Sequence, residues 1–179
     1  KILKNKTILE LGIGNGKTIR SILKQNPKEI TAIDFSEEAI VRARKEFPSA
    51  KILKADILKM PFKDEQFDII VCYYVLNNLS AKERKEAVSE IHRILKNKGK
   101  VLFEDFAVGD FREKDGKIIS QHTIQKKNGI ICHFFTIKEL KALFSCFSNV
   151  NLKEKTSFPI AHKKLKRKII SGIMEKKDL

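Results

Sequence analysis

The residues with the most chemistry in their spacing are Glu10, Gly12, Gly14 and Gly16, in the run Ile8-Leu9-Glu10-Leu11-Gly12-Ile13-Gly14-Asn15-Gly16-Lys17-Thr18. The run reads as a buried strand, a glycine turn and the start of a helix. Glycines at alternate positions let the chain bend tightly and leave room for a ligand against the main chain. A dinucleotide-binding turn would read G-x-G-x-x-G and set a pyrophosphate on the helix N-terminus. Here the third glycine comes one residue early, and Glu10 stands two residues before the first. A carboxylate at that place repels a pyrophosphate and suits a cation. The sulfonium and ammonium of S-adenosylmethionine match it better.

Further residues of this kind recur at the ends of the following strand-like segments. Asp34 lies about 20 residues past the turn, the separation at which an acid reaches ribose hydroxyls. It can equally cap a helix, although Ser36 already supplies a cap. Phe35 can cover a purine face or belong to the core. Asp56 can accept from an adenine amine while the Ile57 N–H donates to the ring, or it can simply cap a short turn. Tyr73, Tyr74, Asn77 and Asn78 would border the transferred group and its acceptor. Cys72, just before them, is expected as a small core residue and also on the cofactor side. Asp105, at the end of a fifth strand, is the expected grip on the acceptor, with His122 and His133 as weaker alternatives.

These residues need an alternating scaffold, and the hydrophobic pattern supplies one. Strands are expected at 7–11, 29–35, 51–55, 67–74 and 100–106. Helices are expected at 17–25, after the Ser36 cap, and after the Ser80 cap with an end at a left-handed Gly99. Such a βαβα rhythm makes a parallel sheet with right-handed crossovers, and ligands bind outside the carboxyl ends of its strands. After Ala107 the rhythm breaks. Two strands, 118–125 and 129–135, flank Lys126-Lys127-Asn128-Gly129, where Asn-Gly favours a hairpin turn. A helix over 137–147 and two closing strands, 149–158 and 167–175, finish the chain, with Lys163, Lys164, Lys166, Arg167 and Lys168 forming a basic run between them. One domain over 1–179 is expected, with a hairpin insertion at about 108–135.

Composition narrows the partners. The 179 residues are 42% hydrophobic and carry a net charge of +15, which favours an anionic partner, nucleic acid first. A lysine-rich composition alone gives the same bias. Three unpaired cysteines argue against a disulfide framework or a zinc site, and a cytoplasmic setting is the default. No apolar run approaches a bilayer span and no signal peptide is visible. The chain opens at Lys1, so this says little about targeting.

Taken together, these pieces resemble the class I S-adenosylmethionine-dependent methyltransferases. The matching pieces are Glu10 to Gly16, Ala32-Ile33-Asp34, Lys54-Ala55-Asp56-Ile57, Met60-Pro61-Phe62, Phe67 to Val71, Val75-Leu76 and Leu95 to Leu102. The resemblance implies a Rossmann-like seven-stranded α/β sheet whose last strand is antiparallel, with helices on both faces. Val101 to Phe106, Lys127-Asn128-Gly129, His133-Phe134-Phe135-Thr136 and Glu139-Leu140 look like the tRNA methyltransferases that make 3-methylcytidine, with Lys126 where those enzymes usually have an arginine. That likeness implies tRNA as partner, met by Lys126, Lys127 and the basic run. A small-molecule methyltransferase and a non-catalytic S-adenosylmethionine-binding protein are the alternatives.

Overall fold

The computed structural model describes residues 2–158 and 165–177. Its first half repeats strand and helix: β1 (Thr7–Leu11), α1 (Lys17–Leu23), β2 (Glu29–Asp34), α2 (Glu37–Glu46), β3 (Lys51–Lys54), β4 (Phe67–Tyr73), α3 (Ala81–Ile94) and β5 (Leu95–Phe106). The second half adds β6 (Lys117–Ser120), β7 (Thr123–Gln125), β8 (Ile131–His133), α4 (Ile137–Leu143), β9 (Ser148–Ser157) and β10 (Arg167–Glu175). The main sheet has seven strands in the order β3-β2-β1-β4-β5-β10-β9. Pairing is parallel from β3 to β5, and β10 runs antiparallel to both β5 and β9. The expected Rossmann-like sheet with an antiparallel last strand is therefore present.

The order reverses at β1, whose neighbours are β2 and β4. Loops leaving the carboxyl ends of β1, β2 and β4 thus converge there. Both sides of the sheet are covered. One core joins β1, β4 and β5 to α3 and α4 through Leu9, Ile70, Phe103, Ile91 and Phe144. The other joins β1 and β2 to α1 and α2 through Ile8, Ile19, Ile30 and Ile40. That two-sided burial explains the near-continuous apolar character of β1, β2 and β4.

Helix starts follow local chemistry. The Ser36 hydroxyl accepts from the Ala39 N–H at 3.3 Å. Ser80 and Glu83 form a reciprocal capping box, and Thr136 caps α4 through the Glu139 N–H at 3.1 Å. Helix and strand ends differ most from expectation in three places. α3 stops at Ile94 because Leu95 turns extended and pairs with Phe67 in the sheet. The left-handed residue nearby is Lys98 (φ 61°), and Gly99 is not left-handed. α4 ends at Leu143, short of the expected 147. In the insertion, the first expected strand is broken at His122, which takes φ 54°. The insertion is accordingly a three-stranded sheet, β6-β7-β8, rather than a two-stranded hairpin. Its tip does turn through Asn128-Gly129, with Gly129 at φ 82° and its N–H donating to Lys126 at 2.9 Å. None of the helices among the described residues is long and apolar enough to cross a membrane.

Candidate active site

A cleft of about 630 Å³ opens at the carboxyl ends of the central strands. Its floor is the turn after β1. Gly12 and Gly14 both hold left-handed backbone, φ 74° and 52°. A Cβ on Gly12 would lie 2.9 Å from a Val75 methyl, whereas one on Gly14 would meet no protein atom within 4 Å. The space over Gly14 is the cradle a ligand would fill. Gly16 (φ 77°) caps α1 without lining the cleft, and a Cβ there would strike the Phe47 ring at 2.8 Å.

The β2 end supplies the next wall. Asp34 Oδ2 accepts from the Gly14 N–H at 3.1 Å, and Oδ1 accepts from the Ser36 N–H at 2.9 Å. The same carboxylate therefore fixes the glycine turn and the entry to α2, while each oxygen, accepting one bond, has capacity for a second. From α2, the Arg42 guanidinium donates to the Gly14 carbonyl. Only the tertiary structure brings Arg42 there, because α2 folds back over the turn. Phe35 lines the cleft with 76% of its surface exposed, a large apolar ring with no protein partner over its outer face. Asp56 and Ile57, after β3, also line the cleft, and Asp56 Oδ1 accepts from the Leu58 N–H at 2.9 Å.

Glu10 lies beneath this floor, 2% exposed, and does not line the cleft. Burial, opposed by the Ile19 N–H and reinforced by nearby Asp34, pushes its carboxyl up to about 8. Its Oε2 is buried without a hydrogen-bond partner. Cys72 is also off the cleft, fully buried in the main core with its thiol pushed up by burial. Its place beside Leu11 in the β1–β4 register makes it packing, so a side-chain contact to a cofactor is not available there.

The far wall belongs to the β4 end. Tyr73, Tyr74, Val75, Asn78 and Leu79 line it. Tyr74 takes φ 57°, which for a residue with a bulky side chain is a strained conformation. The surroundings hold it there. Its N–H donates to the Glu104 carbonyl at 2.8 Å. Its hydroxyl donates to the Glu104 carboxylate and accepts from Arg167 at 2.6 Å. Its ring packs 5.0 Å from Phe106.

Asp105 corrects an expectation. It is 0% exposed and does not reach the cleft. Oδ1 accepts from the Asn77 amide at 2.7 Å and the Phe106 N–H at 2.9 Å, and Oδ2 accepts from the Asn77 N–H at 3.1 Å. Burial pushes its carboxyl up to about 7 against those bonds and the nearby Arg84 charge. It therefore anchors the turn 76–78 from below and cannot grip an acceptor as placed. Strand alternation decides this: along β5, Val101, Phe103 and Asp105 face the core, and Leu102, Glu104 and Phe106 face the other way, half-buried. The histidines are likewise committed. His122 Nδ1 lies 3.2 Å from Glu113, and buried His133 bridges Thr123 and Glu139 at 2.8 Å each.

The basic residues separate. Lys126 and Lys127 line a groove of about 430 Å³ on the insertion together with Lys114, Lys117 and Asp115. Lys166 is exposed. Arg167 reaches inward to Tyr74, and Lys168 pairs with Glu154 at 2.5 Å and donates to the Val108 carbonyl at 3.3 Å. Lys163 and Lys164 lie outside the described residues. Among the described residues no cluster of His, Cys, Asp and Glu could hold a metal ion.

The donor set is the chemical signature of the cleft. Two carboxylates at strand ends, open lone pairs, an uncovered phenyl ring and an open glycine cradle suit a ligand rich in hydroxyl and amine donors with an aromatic base. S-Adenosylmethionine fits those residues, and a pyrophosphate would face Asp34 where it needs donors.

Comparison with known proteins agrees. Residues 9–103 match the family described as methyltransferase domain. The chain is 28% identical over 158 residues to the tRNA N(3)-methylcytidine methyltransferase Mettl2 of Drosophila melanogaster, covering 80% of this chain and 49% of that protein. It is 31% identical over 153 residues to the tRNA N(3)-methylcytidine methyltransferase trm140 of Schizosaccharomyces pombe, covering 78% and 50%. The chain thus spans about half the length of these relatives. Among solved structures, a SAM-dependent methyltransferase from Methanosarcina mazei superposes with a TM-score of 0.81 at 22% identity, covering 97% of this chain and 93% of the other. With the family match running over more than half of the chain and the glycine cleft where that fold carries its site, this chain belongs to the methyltransferase domain family, in its class I, S-adenosylmethionine-dependent form.

Proposed function

We propose that this chain transfers a methyl group from S-adenosylmethionine to a base nitrogen of tRNA, giving a 3-methylcytidine-type product, and that residues 1–179 act as one methyltransferase domain. The observation that carries this reading is the extent of likeness. The general domain match stops at residue 103, but the likeness to the tRNA methyltransferases covers about four-fifths of the chain. It therefore runs on into the acceptor side, where insertion, α4 and closing strands lie.

In this reading Asp34 receives the ribose hydroxyls, Phe35 covers the adenine, and Asp56 with the Ile57 N–H reads the adenine edge. The glycine turn accommodates the methionine end, with Glu10 beneath it. Bound there, the cofactor supplies an electrophilic methyl on a positively charged sulfur. The chain's task is then geometric. A cytosine N3 carries a free lone pair, so no general base is required, and acceleration comes from holding that lone pair in line. The target base must be unstacked to enter the cleft. The lysine groove on the insertion offers phosphate contacts for the surrounding RNA.

The test is to incubate the protein with methyl-labelled S-adenosylmethionine and total tRNA, then digest to nucleosides. Label in 3-methylcytidine is the expected result. Unlabelled tRNA from a preparation that binds S-adenosylmethionine would overturn the assignment.

A further inference from the structure

We propose that Arg42 is a positioning residue for S-adenosylmethionine: acting from α2, it locks the backbone at Gly14 in the conformation that leaves the ligand cradle open. Gly14 needs such a lock. It holds φ 52° and meets no protein atom within 4 Å of where a Cβ would stand. A glycine loses more conformational freedom on being fixed than any other residue. Two rotations have to be set, one for each peptide plane that meets at its Cα. The plane before Gly14 carries its N–H, which donates to Asp34 Oδ2 at 3.1 Å. The plane after it carries its carbonyl, which accepts from Arg42 Nη2. The Gly16 N–H closes the turn on the Ile13 carbonyl at 2.9 Å, and Arg42 sets a carbonyl inside that loop.

The sequence of α2 aims this guanidinium. Glu38, Arg42 and Glu46 are spaced four apart and share one face of the helix. Glu38 lies 3.8 Å from Arg42 Nη1. Glu46 pairs with Arg20 of α1. Phe47, at the end of α2, packs against Gly16, and the Arg20 guanidinium sits 5.6 Å from the centre of its ring. This face of α2 is therefore clamped onto α1 and the turn before it, and Arg42 is the member that bonds the backbone at Gly14. Arg42 does not line the cleft, whereas Gly14 does. It acts through Gly14 and not on the ligand.

The consequence is preorganisation. With both planes held, the cofactor meets a cradle already in place. Without Arg42, binding must also order the turn, and the entropy of fixing about one residue's backbone opposes it. That entropy corresponds to about 5- to 30-fold in affinity. The Arg42 side chain is 49% exposed, so removing its charged end opens no cavity in the core. A lysine at 42 keeps a donor on a flexible stem but loses the planar fork that engages Gly14 and faces Glu38 together.

The experiment titrates S-adenosylmethionine calorimetrically into wild type, Arg42→Met and Arg42→Lys, at a temperature where melting curves show all three folded. Arg42→Met keeps the aliphatic stem and removes every donor. It is expected to bind about 5- to 30-fold more weakly, with the loss in the binding entropy. Arg42→Lys is expected to recover part of that loss. Wild-type affinity in folded Arg42→Met overturns the role. So does a loss that Arg42→Lys leaves undiminished, because donation to the Gly14 carbonyl would then not be what matters. The titration needs no methyl acceptor, so its outcome is independent of the tRNA reading.

Discussion

The two ends of the cleft are built by different means. The glycine end is made largely of backbone: left-handed glycines at 12 and 14, a carboxylate at the last residue of β2, and N–H groups fixed by that Asp34. The β4 end is made of side chains brought from distant segments: Tyr74 just past β4, Glu104 from β5 and Arg167 from β10. Local chemistry dictates the first and tertiary packing the second. A glycine that needs positive φ cannot be replaced quietly. A tyrosine at positive φ is held by contacts from Glu104, Arg167 and Phe106.

The sharpest way to break this contrast is at Gly12. A side chain there is strained at φ 74° and strikes Val75, so Gly12→Val should lose S-adenosylmethionine binding and about 2–4 kcal/mol of stability, between strain and overpacking. Thermal unfolding and cofactor titration on one preparation check both. At the other end, Asp105→Ala strips the anchor from Asn77 and leaves a buried amide and N–H unpaired, at about 1–3 kcal/mol each. A lowered melting temperature is expected, with Asp105→Asn recovering part of it. If Asp105→Ala left stability intact, the anchoring role would be wrong.

Smaller effects separate ligand contacts from scaffold. Asp34→Ala should weaken S-adenosylmethionine by on the order of 1–3 kcal/mol, read by calorimetry. Unchanged affinity would remove Asp34 from the ribose. Lys126→Glu with Lys127→Glu should weaken tRNA binding and flatten its salt dependence by roughly one counterion per lost phosphate contact, without altering S-adenosylmethionine affinity. A salt-independent interaction would sink the phosphate role of the insertion.

A separate effect is pH-linked. Glu10 is raised from an ordinary 4.5 to about 8 by burial, so the folded chain holds a proton that the unfolded chain has already lost. The resulting stability is fully present below the unfolded value and is lost as pH rises through about 8. Melting temperature of the unliganded protein should therefore fall as pH rises from about 5 to 8, and Glu10→Gln should flatten that part of the slope. A wild-type curve with no such fall, or an unchanged slope in the variant, would place the proton elsewhere.

The same division explains what could be read from residues alone. Strands β1 to β4, the Ser36 and Ser80 caps and the convergence of Gly12, Gly14, Asp34 and Asp56 follow from periodicity, capping and glycine spacing. Arg42 on the Gly14 carbonyl and Arg167 on Tyr74 span the chain and leave no local trace. Asp105 was open to a better reading. Alternation along Val101 to Phe106 puts Asp105 on the same face as Val101 and Phe103, which are core residues, and Glu104 on the other. The break at His122 had no such signal, because a left-handed histidine is set by the turn it joins.

One measurement bears most directly on the central claim that the glycine cleft is the S-adenosylmethionine site. Gly14 has open space where a Cβ would go but holds φ 52°, so Gly14→Val should fill the ligand cradle without striking a protein atom, at the cost of backbone strain. Calorimetric titration of S-adenosylmethionine into wild type should give one site per chain, and into Gly14→Val little or no binding, measured at a temperature where the variant, its melting temperature lowered by strain at φ 52°, is still folded. Full affinity in a folded Gly14→Val would contradict the account.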